Sequence, residues 1–227
     1  MDLALTSLNF YPVLEFFPNF LRGVATTIVF SITTILIGAV FGFGMALLRM
    51  SRNKVLSGIA NFYISFVRGT PLLIQLYIFA YGIPTLFPSL NIGIYTSGVI
   101  ALGLNSTAYV AEIYRSGIQA VDPGQMEAAR SMGFSRSFAM RKIVFPQAFK
   151  NIIPAIGNEF VTVVKESSVV SILGIYDITR VSDLVKASTL KVFESLIIAA
   201  LLYFMITTIL TYFVNKIEKR LNVYALR

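Results

Sequence analysis

Three groups of polar residues stand in stretches that are otherwise apolar, and their types suit holding a solute better than breaking a bond. The first is Arg68-Gly69-Thr70-Pro71. A proline within a helix removes a backbone hydrogen bond and a glycine weakens the turn, so a helix through this point should break. Thr70 as N-cap and Pro71 as first position would restart it, offering the N–H groups of Leu72 and Leu73 and a positive dipole end to an anion. The competing reading is a kinked structural helix with Arg68 paired to a neighbour. The second group is Glu159, Thr162 and Glu166, which with position 163 fall on one helical face about two turns long. Two carboxylates there would suit an ammonium group; alternatively Glu166 neutralises Lys165 or Arg68, and Glu159 lies near a solvated boundary. The third is Asn105, Ser106 and Thr107 after Gly103. Hydroxyls often bond their own helix backbone, so Asn105 is the better ligand of the three. Cys and His are both absent, which removes thiol chemistry, the commonest general base and the usual metal ligands. No metal site and no cofactor are expected.

The elements that position these groups must live in a membrane. Of the 227 residues 56% are hydrophobic and 13% charged, and the mean hydropathy is +0.75, outside the range of soluble domains and opposite to disorder. A nucleic-acid binder of pI 9.8 would need a well-solvated fold, so the net charge of +8 reads as an orientation signal in a bilayer. Three long stretches, 23–48, 69–111 and 195–215, contain no Asp, Glu, Lys or Arg. The middle one has room for two crossings, with Gly82, Pro84, Pro88, Asn91 and Gly93 clustered where a turn belongs. A further apolar segment, 152–175, carries Glu159, Lys165 and Glu166 yet has the length of a span. The expectation is an all-α integral membrane domain over 1–227, with five helices at about 21–48, 56–83, 94–113, 152–175 and 193–215.

Most Lys and Arg fall in 49–55, 114–151 and 216–227, which places those segments in the cytoplasm and the N-terminus outside. Residues 1–20 lack a basic start and do not read as a cleavable signal. Their aromatic cluster, Phe10, Tyr11, Phe16, Phe17 and Phe20, suits either a segment lying in the outer interface or a mobile tail.

The segment 114–151 is long for a connector, and it is patterned as two helices. Asp122 as N-cap, Pro123 at the first position and Gln125 as partner in a capping box start one over 124–132, which Gly133 stops. Ser135 caps a second over 136–145, ending before Pro146. Met126 and Ala129, with Met132 or Arg130, form one face of the first helix, and Glu127 and Ser131 lie on the other. A small face beside a flexible methionine suits insertion into a groove on another protein; the alternative is a solvated connector.

Glu127, Ala128, Ala129, then Gly133, Ile143 and Pro146, reproduce the spacing of a motif that resembles the coupling loop of permease subunits of ABC importers. Phe145 stands where that motif has leucine. The run 66–75 and Asn158, Glu159, Phe160, Lys165, Glu166, Ser167 and Ser168 look like signatures of the polar amino acid permeases. The resemblance covers about 20–220. It implies a type I ABC importer permease fold in a bacterial plasma membrane, a second permease subunit, identical or homologous, two ABC ATPase subunits, and an extracytoplasmic solute-binding protein.

On that resemblance Arg68, Gly69, Thr70, Asn105, Glu159, Thr162 and Glu166 are candidate contacts for a polar amino acid. Asp122, Gln125, Glu127, Ala128, Ala129 and Gly133 are candidate contacts for the ATPase. The chain holds no Gly-x-x-x-x-Gly-Lys-Ser/Thr loop, so ATP hydrolysis would belong to a separate subunit and this chain would be no enzyme. The rivals are an ion-coupled carrier using Glu159 and Glu166 as relays, a non-transporting scaffold, and an ABC permease for a peptide, phosphonate or metal complex.

Overall fold

The computed structural model describes residues 8–90 and 92–223; Asn91 and Arg227, which figured in the turn and charge patterns, lie outside them. Among the described residues every regular element is helical. In chain order the α-helices are α1 (Tyr11–Leu14), α2 (Phe17–Arg49), α3 (Lys54–Gly69), α4 (Leu72–Tyr77), α5 (Ile83–Leu86), α6 (Ile94–Gln119), α7 (Pro123–Ser131), α8 (Arg136–Ala139), α9 (Phe145–Glu166), α10 (Ile178–Thr189) and α11 (Val192–Val223).

Helix α2, at 33 residues and about 1.5 Å per residue, is longer than a hydrocarbon layer, and α11 matches it. These two are long and apolar enough to cross a membrane, and α3 with α4 and α5 makes a third if the bent pair is one span. Helices α6 and α9 have the length of spans, but their polar residues keep them below that standard.

Helix α6 is the centre of the bundle. It packs along α2 for most of its length and also against α3, α4 and α9, while α9 reaches α11. The α2–α6 contact is close because Gly42 lies over the α6 backbone: a Cβ there would sit 3.0 Å from the Ala111 nitrogen. Inside, Phe30, Leu76, Leu102 and Val170 form one buried cluster and Phe20, Val164, Ile178 and Val181 another. Outside, large apolar side chains such as Val40, Phe41, Phe62, Leu201 and Phe204 are exposed, the arrangement of a protein whose surroundings are lipid.

Several local expectations change. The N-terminal aromatic segment is packed: Val13 and Phe20 are fully buried, and the Asn9 N–H donates to Glu194 Oε1 at 3.0 Å. The fourth span ends its α-helix at Glu166 and continues as a 3₁₀ segment, Ser167–Leu173. Helix α10, between the fourth and fifth apolar segments, was not foreseen. The helix expected over 136–145 does not stop before Pro146; it widens into a π turn, Met140–Val144, and runs on as α9. A second π turn, Ile78–Gly82, likewise ends two residues before a proline, Pro84. Proline has no N–H to give and its ring crowds the preceding turn, and a wider turn relieves both without ending the helix.

Candidate functional site

The break in the second apolar segment is sharp: α3 and the α4–α5 pair meet at 105°. Its capping differs from the expected scheme. Thr70 is not the N-cap of the new helix, because its hydroxyl donates backward to the Phe66 carbonyl at 2.9 Å. Pro71, in extended conformation, takes that place and α4 starts at Leu72. The carbonyls left open by the break are met by Gln75, whose Nε2 lies 2.7 Å from Val67 O, 3.1 Å from Thr70 O and 2.9 Å from Thr70 Oγ1. Asn105 Nδ2 donates to Gln75 Oε1 at 3.1 Å and so holds the amide in place from α6. Asn105 is therefore buried inside the wall, while Thr107 bonds back to Gly103 O.

Arg68 and Gly69 are exposed at the bend. The Arg68 guanidinium lies 5.2 Å from the centre of the Tyr109 ring, a cation–π contact that aims it toward α6. Arg68 is within electrostatic reach of Glu159, and so is Glu166. Thr162 is half-buried between them in sequence and bonds back to Asn158 O at 3.2 Å; position 163 of the same stripe, Val163, is buried. Lys165 is exposed and acts on Glu166. Among the described residues none of Arg68, Glu159, Lys165 and Glu166 forms a direct ion pair. The structure thus brings Arg68, Glu159 and Glu166 into one electrostatic neighbourhood without a direct ion pair among them.

The loop helix is built as follows. Asp122 Oδ1 accepts from the Gly124 N–H at 2.8 Å and Pro123 opens α7. The return half of the capping box is not made: Gln125 Oε1 instead faces Gln147 Nε2 at 3.4 Å. At the other end Gly133 has φ +86°, with Gly133 N–H on Arg130 O and Phe134 N–H on Ala129 O, a Schellman stop. Ala129 is 2% exposed and Met126 half-buried on the side where α7 packs against α8 and the turn that leads to α9, whereas Met132, at 75%, and Arg130 are exposed, so only part of the face expected to enter a partner's groove is covered within this chain. Glu127, Ala128 and Ser131 are exposed, as are Gln125, Arg130 and Met132.

Two features had only weak sequence signals. Glu112 joins Arg49 of α2 and Arg115 of its own helix, tying the loop ends of α2 and α6 together; the i,i+3 spacing shows only the second pairing. Asp177 is buried at the start of α10, accepting from Arg180 N–H at 2.8 Å and Tyr203 O–H at 3.0 Å. Burial pushes its carboxyl up to about 6 against those bonds.

The pattern of binding-protein-dependent transport system inner membrane components matches residues 38–223. The chain belongs to that family. It is 40% identical to the arginine transport system permease protein ArtQ of Bacillus subtilis, over 95% of this chain and 98% of that protein. It is 37% identical to the putative glutamine transport system permease protein GlnP of Rickettsia typhi, over 95% and 97%. The crystal structure of an amino acid ABC transporter with histidines superposes with a TM-score of 0.91 at 43% identity, covering 95% of this chain and all of that one. The inward-facing MetNI methionine transporter, at 16% identity and a TM-score of 0.78, shares the fold. This inner membrane component therefore has the all-α type I ABC permease fold, and its bent second segment and loop helix are features of a transport protein.

Proposed function

We propose that the chain is the translocating subunit of an ATP-driven importer for polar amino acids. It crosses a bacterial plasma membrane five times, by α2, the α3–α5 pair, α6, α9 and α11, with the N-terminus outside and the C-terminus in the cytoplasm. It pairs with a second permease, identical or homologous, rests on two ATPase subunits, and receives solute from an extracytoplasmic binding protein. The similarity to arginine and glutamine permeases supports the substrate class.

The observation that carries the coupling role is the build of α7. A short helix capped at both ends, with Ala129 locked inward and Glu127 and Ala128 outward, transmits a push without bending. Its stop at Gly133 leads through α8 and the π turn directly into α9, which carries Glu159 and Glu166. Closure of the ATPases would move α7 and tilt α9 against α6, opening and closing access to the acidic stripe. There Arg68 would meet a carboxylate, Glu159 and Glu166 an ammonium group, and Thr162 would add a hydroxyl. Gln75 and Asn105 would hold the bend at Gly69 and Thr70 in shape. Within this family an external energy source replaces the proton relay of an ion-coupled carrier.

The test is uptake of labelled arginine and glutamine by proteoliposomes holding the whole complex, with ATP enclosed. Uptake should need ATP, survive a protonophore and be lost in Glu127→Lys while the chain still inserts. Transport without ATP, or full uptake by Glu127→Lys, would sink the assignment.

A further inference from the structure

At the loop end of the bundle, apart from the acidic stripe, lies a cavity of about 860 Å³. Its walls come from three places: Phe43, Leu47 and Met50 on the end of α2, Ile118 and Gln119 on the end of α6, and Arg136, Met140, Arg141 and Phe145 on the chain leading into α9. The two halves differ in chemistry. One is apolar and opens onto the chain's surface near the end of the membrane-crossing helix α2, since Leu47 is 50% exposed and Phe43 and Met50 are also open. The other carries two guanidinium groups, and no Asp or Glu lines the cavity.

That charge is unanswered. Among the described residues neither Arg136 nor Arg141 is ion-paired. The nearest carboxylate along α6, Glu112, is already taken by Arg49 and Arg115. Gln119 Oε1 accepts from Arg115, which leaves its amide nitrogen as a further donor on the cavity wall. Phe43 and Phe145 meet edge to face at 6.3 Å, so the apolar wall is a formed surface.

We propose that this cavity seats an anionic phospholipid, with its phosphate on Arg136, Arg141 and Gln119 and its acyl chains along Phe43, Leu47 and Met50. A free anion would use only the basic half, and a partner's acidic loop would leave the apolar half to lipid anyway. Basic pockets between helices at a membrane boundary take lipid head groups for this reason. Under the proposed orientation the lipid belongs to the cytoplasmic leaflet, and it would bridge α2 to the segment that joins the coupling helix to α9.

The intact complex, delipidated and returned to mixed phosphatidylcholine and phosphatidylglycerol, is examined by native mass spectrometry for retained lipid. The wild type should retain phosphatidylglycerol in preference to phosphatidylcholine. Arg136→Gln with Arg141→Gln should weaken that retention roughly thirtyfold, while Lys142→Gln, an exposed cation outside the cavity, should not. Leu47→Trp keeps both arginines but fills the apolar wall, and it too should lose the lipid; if the double variant fails to assemble, this variant decides. Equal retention of both lipids, an unaffected Leu47→Trp, or displacement by inorganic phosphate would overturn the proposal. So would a double variant that sheds the ATPase subunit while keeping its lipid.

Discussion

Asn105 on α6 donates to Gln75 on α4 at 3.1 Å, and Gln75 in turn donates to the carbonyls of Val67 and Thr70. A bent helix in hydrocarbon leaves carbonyls that water cannot reach, and one side-chain amide answers two of them here. Gln75→Leu strips both carbonyls of their partner, at about 1–3 kcal/mol for each buried group left unmet. The complex should melt at a lower temperature and lose uptake. Asn105→Ala removes only the outer support and should cost less. If the two variants melt alike, Gln75 is not the group holding the bend.

Gly133 ends α7 at φ +86°, a region costing other residues about 1–2 kcal/mol. Gly133→Asn should keep most uptake, because asparagine tolerates this conformation. Gly133→Pro cannot adopt it and loses the bond to Arg130 O, so insertion should survive while uptake falls below a tenth (order of magnitude, about 1.4 kcal/mol or more). Initial uptake rates beside a membrane-insertion assay distinguish these outcomes.

Arg68 and the pair Glu159 and Glu166 face a charged zwitterion under the proposed function. Arg68→Gln should weaken uptake of arginine and glutamine together, since both carry the carboxylate it would hold. Glu159→Gln should weaken arginine more than glutamine if its charge meets a cationic side chain. Equal losses for both solutes would place Glu159 on the shared ammonium group. No loss in either variant would remove these residues from the solute path.

Asp177 has its carboxyl raised from 3.8 to about 6 by burial. A group whose folded value is raised favours the fold while protonated, so this contribution is complete below about pH 4 and is lost as pH rises through about 6. Melting of the detergent-solubilised complex should show this slope, and Asp177→Asn should flatten it. Asp177→Ala removes the cap of α10, worth about 1 kcal/mol, and one of the bonds to Tyr203. An unchanged slope in Asp177→Asn would assign the pH response to other groups.

The alternation of apolar stretches and basic loops was enough to expect a helical membrane protein, and Arg68-Gly69-Thr70-Pro71 was enough to place a break. Covalent limits of proline and the cost of charge in lipid act locally, so they are written in neighbouring residues. The spacing from Glu127 to Pro146 pointed to the family that the match over residues 38–223 shows. Which side of α7 is covered was decided only by packing: α8 and the turn at Met140–Val144 pack against α7, where Ala129 is buried, and no periodicity within α7 states what lies behind it. The same holds for Gln75, whose partners are carbonyls eight and five residues back around a bend. It holds also for Glu112, whose bond to Arg49 joins two helices far apart in the chain. Side chains whose role is to satisfy atoms of another element gain that role only when the elements meet, because the free energy at stake is that of desolvation and desolvation is a property of the assembled bundle.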